Sequence, residues 1–211
     1  MSSHLVLLGD SIFDNRAYTA GEPDVVSHLR EALPPGWRAS LAAIDGSTTA
    51  DLEEQCADVP SDATHVVVSI GGNDALANAN LLRLPVRSTA EALLQLGERL
   101  ARFERSYRAA IAAAVALGRD TTICTIYNGN IPAPEAAVVR VALMTFNDVI
   151  LRVAFERGLR IIDLRLICTE PSDYANPIEP SGPGGRKIAW AIARAVGAAG
   201  DRSSTARVHI G

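Results

Sequence analysis

The sequence His65-Val-Val-Val-Ser-Ile-Gly-Gly-Asn-Asp74 joins a short apolar run to a polar loop that contains two glycines. The run 65–70 is apolar almost throughout, which is typical of a strand covered on both faces of a sheet. Similar runs recur at 5–8, 37–44, 121–126 and 160–163. Helix-like stretches alternate with the runs, at 24–33, 49–56, 88–117, 135–157 and 182–196. This alternation predicts right-handed crossovers and a three-layer α/β/α sandwich with a parallel sheet of about five strands.

The length of 211 residues favours a single domain, which we place at 1–197, followed by a loosely held C-terminal tail at 198–211. Apolar residues make up 48% of the chain and charged residues 21%, so a folded core is available and wholesale disorder is excluded. The 20 Lys and Arg against 24 Asp and Glu leave a net charge of −4. This balance provides no basic surface for nucleic acid or for an anionic membrane.

We expect no segment that directs the chain to a membrane or out of the cell. No apolar run approaches the ~20 residues of a membrane-spanning helix, and the N-terminus lacks the basic and apolar regions of a signal peptide. The three cysteines are an odd number without metal-ligand spacing, so we expect neither a disulfide framework nor a zinc site. We therefore expect a cytoplasmic protein without membrane contact. Its oligomeric state stays open.

Polar loops follow the first three predicted strands. They are Gly9-Asp10-Ser11, Asp45-Gly46-Ser47-Thr48-Thr49 and Gly71-Gly72-Asn73-Asp74. Each loop lies at the carboxyl end of a strand, so a parallel sheet brings all three to one rim, where open α/β sheets bind ligands. A serine hydroxyl, a glycine backbone N–H and an asparagine amide would meet there. That set combines a nucleophile with hydrogen-bond donors for a developing oxyanion.

These blocks, in this order, resemble the SGNH hydrolases, also called GDSL lipases or acylhydrolases. Gly9-Asp10-Ser11 matches the first block of the family, Gly46 the second, and Gly71-Gly72-Asn73-Asp74 the third. The resemblance implies a flavodoxin-like sandwich, no metal and no cofactor, and hydrolysis of a small-molecule ester or acyl substrate. It also implies that Ser11 is the nucleophile. The N–H groups of Ser11 and Gly46 and the side chain of Asn73 would then form the oxyanion hole.

The fourth block departs from the family pattern, which reads Asp-x-x-His-Pro followed by a small polar residue, Gly and Ile-Ala at fixed offsets. Residues 176–189 read Asn-Pro-Ile-Glu-Pro-Ser-Gly-Pro-Gly-Gly-Arg-Lys-Ile-Ala. The Pro, Ser, Gly and Ile-Ala fall where the pattern has them. Glu179 therefore occupies the place of the catalytic histidine, and Asn176 occupies the place of its aspartate partner.

The four histidines supply no evident substitute. His4 and His65 begin the first and third strands, at the end of the sheet opposite Ser11, and for His4 this separation is roughly 15 Å. His28 lies within the first predicted helix. Only His209, on the C-terminal tail, is free to reach Ser11, and a residue on a tail is poorly preorganised.

The pair Asn176 and Glu179 is chemically consistent with a rewired dyad. Two adjacent carboxylates would repel, whereas an asparagine amide donates a hydrogen bond to a carboxylate and orients it. An unperturbed Glu titrates near ~4.3 and a His near ~6.5, so we expect slower turnover that persists to lower pH, unless burial raises the pKa of Glu179. The alternative is that Glu179 is an ordinary exposed loop residue.

Several residues beside these blocks are candidates for substrate contact: Asp10, Asp14, Arg16, Tyr18 and Asp74. For Asp10 and Asp74 the alternative is a structural role within their loops, and for Arg16 and Tyr18 it is an ordinary turn. The segment 76–87 has no clear periodicity and is a candidate lid. Arg186 and Lys187, in the last helix, are expected to be solvated.

Three functions from different classes remain open. The first is a serine hydrolase of a small ester or acyl-sugar, with Ser11, Gly46, Asn73 and Glu179 in the roles described. The second is a relative without activity that binds an ester-like or anionic ligand in the same cleft. The third is a flavodoxin-like phosphate or nucleotide binder that uses the loop Asp45–Thr49 at a helix N-terminus, although no phosphate-loop or dinucleotide glycine pattern is present.

Overall fold

Five short strands form one parallel sheet in the order β2-β1-β3-β4-β5 in the computed structural model, which describes residues 2–199. The strands are β1 (Ser3–Gly9), β2 (Trp37–Leu41), β3 (His65–Ser69), β4 (Asp120–Cys124) and β5 (Arg160–Ile162). The chain steps outward from β1 to β2 and then crosses back to β3, so the direction of winding reverses between β1 and β3. The pairing of β1 with β3 puts Gly9 opposite Ser69 at the carboxyl edge of the sheet. Open α/β sheets bind their ligands at this edge, where the winding reverses.

Within residues 2–199, six α-helices pack around the sheet: α1 (Val25–Ala32), α2 (Leu52–Ala57), α3 (Gly72–Ala77), α4 (Thr89–Ala116), α5 (Glu135–Arg157) and α6 (Gly182–Ala195). Successive residues of a strand point to opposite faces. Leu5 and Leu7 therefore belong to the core beneath α1 and α6, and Val6 and Leu8 to the core beneath α2, α4 and α5. The predicted three-layer sandwich with five parallel strands is confirmed.

The short helix α3 was not predicted from the sequence. Its residues were interpreted as a glycine loop followed by an irregular segment, but Gly72 begins a helix directly after Gly71. Gly71 has φ of 112°, and a Cβ there would press on the ring of Phe103. A glycine at this position therefore permits both the sharp turn out of β3 and the close approach of α4.

At the end of α6, Ala198 and Ala199 still belong to the packed fold. Both backbone N–H groups donate to the carbonyl of Ala193, and both side chains pack against the core. The rest of the predicted tail, 200–211 with His209, lies outside the described residues. Within residues 2–199, no helix combines the length and the apolar character that crossing a bilayer requires.

Candidate active site

Ser11 lies on a tight turn at the carboxyl end of β1. The backbone N–H of Asp10 donates to the carbonyl of Ser69 at 3.1 Å, which ties the turn to β3. The carbonyl of Asp10 accepts the N–H groups of Phe13 and Asp14, and its carboxylate accepts the N–H of Ile12 at 3.1 Å. The side chain of Phe13 is fully buried and anchors the turn. Ser11 is thus held rigidly at the rim where the three loops meet.

The hydroxyl of Ser11 donates a hydrogen bond to Oε1 of Glu179 at 3.1 Å. Both side chains are buried, with 7% of Ser11 and 6% of Glu179 exposed. The two residues are 168 positions apart, so only the tertiary fold brings them together. The interpretation of Glu179 as an exposed loop residue is therefore wrong.

Glu179 is carried by a small hairpin that is held at both sides. The N–H of Ala175 donates to the carbonyl of Glu179 at 2.9 Å, and Tyr174 pairs with Pro180 in an antiparallel bridge. The hydroxyl of Tyr127 donates to the carbonyl of Ile178 at 2.5 Å, on one side of Glu179. On the other side, the Asn15 amide donates to the carbonyl of Pro180 at 3.1 Å. These bonds hold the backbone of the glutamate in place.

Asn176 does not orient the carboxylate as the sequence analysis expected. Its side-chain oxygen accepts the backbone N–H groups of Ile178 and Glu179, both at 2.9 Å, which closes the turn of the hairpin. Among the described residues, Oε2 of Glu179 is buried without a hydrogen-bond partner, so the amide of Asn176 does not reach it. Asparagine prefers this bond to nearby backbone because its short side chain closes a local turn. Its role here is to shape the hairpin.

Two carboxyl groups at this site have strongly raised pKa values. Burial raises the pKa of Glu179 to about 7, against the opposing effect of the Ser11 hydrogen bond, and the charge of Asp45 adds to the rise. Burial likewise raises the pKa of Asp10 to about 7, helped by the charges of Glu179 and Asp74. Burial acts this way because a charged carboxylate loses hydration that few hydrogen bonds replace. A carboxyl group of this kind gains and loses its proton near neutral pH.

Of the residues expected to form the oxyanion hole, Ser11 and Asn73 line one cavity, whereas Gly46 does not line it. Asn73 lines the same cavity as Ser11 and Glu179, and one N–H of its amide donates to the carbonyl of Ser47 at 2.9 Å. Gly46 lies in the exposed loop beside Ser47 with φ of 83°. In the part of the chain that the structure describes, the backbone N–H groups of Ser11 and Gly46 have no hydrogen-bond acceptor.

Gln55 joins the first two loops and was missed by the sequence analysis. Its side-chain oxygen accepts the N–H of Gly9 at 2.7 Å, and its side-chain nitrogen donates to the carbonyl of Gly9 at 2.8 Å and to the hydroxyl of Ser47 at 3.1 Å. Gln55 is buried on α2. A single glutamine on a short helix gives no sequence pattern, so no signal marked it.

Asp74, the acidic residue of the third loop, makes the hydrogen bonds that its alternative structural role predicts. The carboxylate of Asp74 accepts the backbone N–H of Thr49 at 3.0 Å and its hydroxyl at 2.6 Å. The N–H of Thr48 donates to Asp51 at 2.7 Å. Carboxylates thus already occupy the donors that a phosphate would need, so this loop does not favour a nucleotide.

Asp10 lines the apolar cavity, whereas Asp14, Arg16 and Tyr18 lie outside it on a polar rim. The carboxylate of Asp14 accepts the N–H of Asp45 at 3.0 Å, and the hydroxyl of Tyr18 donates to the carboxylate of Asp45 at 2.7 Å. That hydrogen bond, with the charge of Asp45, raises the pKa of Tyr18 to about 12. The side chain of Arg16 is exposed.

None of the histidines within residues 2–199 lies at the site. His4 is buried at the amino end of the sheet, where its ring nitrogens bond Asp62 at 3.1 Å and Ser40 at 2.7 Å. The ring of His65 bonds Thr64 at 2.8 Å, and His28 lies on α1. Among the described residues, Glu179 is the one to which the Ser11 hydroxyl donates a hydrogen bond.

Lys187, which was expected to be solvated, forms an ion pair with the buried carboxylate of Asp173 at 2.7 Å. Asp173 also accepts the N–H groups of Thr169 and Glu170, and its carbonyl accepts the N–H of Ser181. Asp173 therefore anchors the base of the hairpin that carries Glu179.

An apolar cavity of about 170 Å³ opens beside Ser11 and Glu179. The segment that was interpreted as a lid forms one of its walls, with α3 and a 3-10 turn at Ala79–Arg83. Helices α4 and α5 and the loop after β4 complete it. Large apolar side chains on its walls include Leu76, Leu82, Leu96, Ile131, Leu143 and Phe146.

Comparisons with known proteins agree with this architecture. A lipase from Streptomyces rimosus is similar over 92% of this chain and 100% of its own, with 17% identity and a TM-score of 0.66. An acetylxylan esterase from Geobacillus stearothermophilus is similar over 93% of this chain and 95% of its own, with 23% identity and a TM-score of 0.66. Phospholipase A1 from Streptomyces albidoflavus is similar over 92% and 99%, with 16% identity and a TM-score of 0.68. These likenesses show the fold.

No curated protein sequence matches the chain. The profile of the GDSL-like lipase and acylhydrolase family, however, matches residues 7–186. That match runs from β1 into α6 and includes the turn of Ser11, the loops of Gly46 and Asn73, and the hairpin of Glu179. The chain therefore belongs to the GDSL-like lipase and acylhydrolase family of ester hydrolases.

Proposed function

We propose that this protein hydrolyses small carboxylic esters with Ser11 as nucleophile and Glu179 as general base. The observation that carries the proposal is the buried hydrogen bond from the Ser11 hydroxyl to Oε1 of Glu179, at 3.1 Å. A base must lie within hydrogen-bond reach of the proton that it takes, and a pKa near the working pH suits it best. The pKa of Glu179, raised by burial to about 7, meets the second condition.

In the first half of the reaction, Oγ of Ser11 attacks the ester carbonyl carbon while Oε1 of Glu179 takes the hydroxyl proton. The carbonyl oxygen becomes an oxyanion, which the N–H groups of Ser11 and Gly46 and the second N–H of the Asn73 amide receive. Collapse of this intermediate breaks the bond to the alcohol oxygen. Glu179, now neutral, returns its proton to that oxygen, and the acyl group stays on Ser11.

In the second half, a water molecule attacks the acyl carbon and gives a proton to Glu179. The intermediate collapses, Glu179 returns the proton to Oγ of Ser11, and the carboxylic acid leaves. When a carboxylate is the base, proton transfer moves one negative charge from the base to the oxyanion, which the N–H donors stabilise. When a histidine is the base, the same step creates a positive imidazolium and a negative oxyanion. Burial of Glu179 favours this transfer because the buried carboxyl group becomes neutral.

Labelling with an alkyl fluorophosphonate separates an enzyme from a binding protein. We expect covalent labelling at Ser11, located by mass spectrometry of the digested protein, because only an activated hydroxyl attacks the phosphorus. The Ser11→Ala variant should take up no label, and Ser47, a buried serine of the second loop, should stay unmodified. Intact protein that binds esters but leaves Ser11 unlabelled would be a receptor and would contradict the proposal.

The pH dependence of kcat/KM should follow the ionisation of Glu179. The base works only when ionised, so kcat/KM should fall about tenfold per unit as the pH drops below about 7, and level off above it. The sequence alone predicts activity that persists to lower pH. Because burial raises the pKa of Glu179, the acid limb of the rate profile moves up to about neutral pH. Rate profiles on an activated ester, measured for the wild type and for His209→Ala, check this. An acid limb that disappears in His209→Ala would assign the base to the tail instead.

A further inference from the structure

We infer that the acyl part of the substrate is an unbranched aliphatic chain of about six to eight carbons, and that it lies in the apolar cavity between α3 and α5. The inference rests on the proposed function and adds the substrate class to it. The surfaces on the two sides of Ser11 differ in chemical character.

On one side of Ser11 the surface is exposed and polar. Asp14, Tyr18 and Asp45 are joined there by hydrogen bonds, with the exposed Arg16 beside them. This rim suits the alcohol part of an ester, which leaves into solvent. On the other side lies the cavity, whose walls are formed mostly by apolar side chains. An apolar chain attached to a carbonyl at Ser11 would bury itself in that direction.

The size of the cavity limits the chain. A cavity of about 150 Å³ lined by Leu, Ile and Phe holds one benzene, which has six carbons. The cavity here, about 170 Å³, therefore accommodates six or slightly more carbons. Leu76 and Leu82 are 47% and 41% exposed at its mouth, so a longer chain would run out over them into water.

The walls also show which residue sets the available length. Ala142 lies on α5, half-buried, and lines the cavity beside the much larger Leu143 and Phe146. The small side chain leaves space that a larger one would fill. Ala137 lies on the same helix but is exposed and does not line the cavity, which makes it a matched control.

The first experiment measures kcat/KM for methyl esters of increasing acyl length. Burial of one methylene favours binding by about fourfold, so methyl hexanoate should exceed methyl acetate by about two-hundredfold, with the maximum at six to eight carbons. Pentyl acetate is an isomer of methyl hexanoate that carries its chain on the alcohol. We expect it to be the poorer substrate by at least about fiftyfold. Equal rates for the two isomers, or a faster pentyl acetate, would overturn the acyl assignment.

The second experiment changes the wall. Ala142→Phe should lower kcat/KM for methyl hexanoate about a hundredfold and that for methyl acetate less than about threefold, because only the longer chain needs the filled space. Ala137→Phe should alter neither rate. If Ala142→Phe fails to fold, Leu143→Ala tests the same wall. The acyl length with the highest kcat/KM should then be longer by about two carbons than in the wild type. Unchanged length profiles in folded wall variants would overturn the inference.

Binding to Ser11→Ala separates this inference from the proposed function. The variant cannot hydrolyse, so titration calorimetry can compare methyl hexanoate with methyl acetate, and we expect the hexanoate to bind more tightly. If the wild type hydrolyses no ester while Ser11→Ala keeps that preference, the proposed function fails and the acyl site stands. If the wild type hydrolyses esters without preference for length, the acyl site fails and the hydrolase stands.

Discussion

Replacing Glu179 with glutamine should lower kcat for a short-chain ester about a thousandfold, which corresponds to about 4 kcal/mol in activation free energy. The amide has nearly the size of the carboxylate, so the hairpin and the pocket keep their shape, but it cannot accept the Ser11 proton. KM should change little, because Glu179 acts on the serine in the transition state and does not hold the ester. Steady-state kinetics on an activated ester measure both constants.

Glu54→Gln serves as the control for this substitution. Glu54 is exposed on α2, so replacing it with glutamine removes the same charge at a position away from the site. We expect its kcat to equal that of the wild type. If Glu179→Gln retained a tenth or more of the wild-type kcat while folded, Glu179 would not be the base.

Gly9→Ala should destabilise the protein by more than about 4 kcal/mol, a loss that few single substitutions reach and that is a large part of the stability of an ordinary domain. Gly9 ends β1 with φ of 131°, and a Cβ there would overlap the backbone carbonyl of Ser69 on β3. Neither strand can move away, because both are central in the sheet. Denaturant unfolding followed by circular dichroism measures the free energy of unfolding. A low yield of soluble protein would also indicate the expected destabilisation.

Gly97→Ala is the matched control with the opposite sign. Gly97 lies exposed within α4, and a Cβ there meets no atom. Alanine is a better helix former than glycine, so this variant should be more stable by about 0.5–1 kcal/mol. A Gly9→Ala protein as stable as the wild type would contradict the close approach of β1 and β3 on which the position of Ser11 depends.

The sequence predicted the fold well because the signal is local. Buried parallel strands such as β3 are short apolar runs, and their carboxyl ends must share one rim, so the residue pattern alone was enough to place Ser11 and Asn73 together. The helix α3 was missed for a local reason too. Gly71 and Gly72 usually indicate a turn, and here the turn occupies one residue before a helix begins.

The environment of Glu179 could not be predicted, because it depends on contacts between distant parts of the chain. Its burial comes from packing against the turn of Ser11 and the loop of Tyr127, and its raised pKa follows from that burial. The side chain of Asn176 accepts hydrogen bonds from the backbone of its own hairpin and does not bond the carboxylate of Glu179. The cavity is likewise formed by residues from six separate segments, which no single stretch reveals.

Chemical rescue of Glu179→Ala by formate tests most directly whether a carboxylate at this position activates Ser11. The substitution removes the carboxylate and leaves a space beside the serine. We predict a nearly inactive variant whose ester hydrolysis rises with formate until it saturates, does not respond to chloride at equal ionic strength, and stays absent when Ser11→Ala is added. A Glu179→Ala variant that hydrolyses esters at the wild-type rate without formate, or whose Ser11 reacts with the phosphonate at the wild-type rate, would contradict the account.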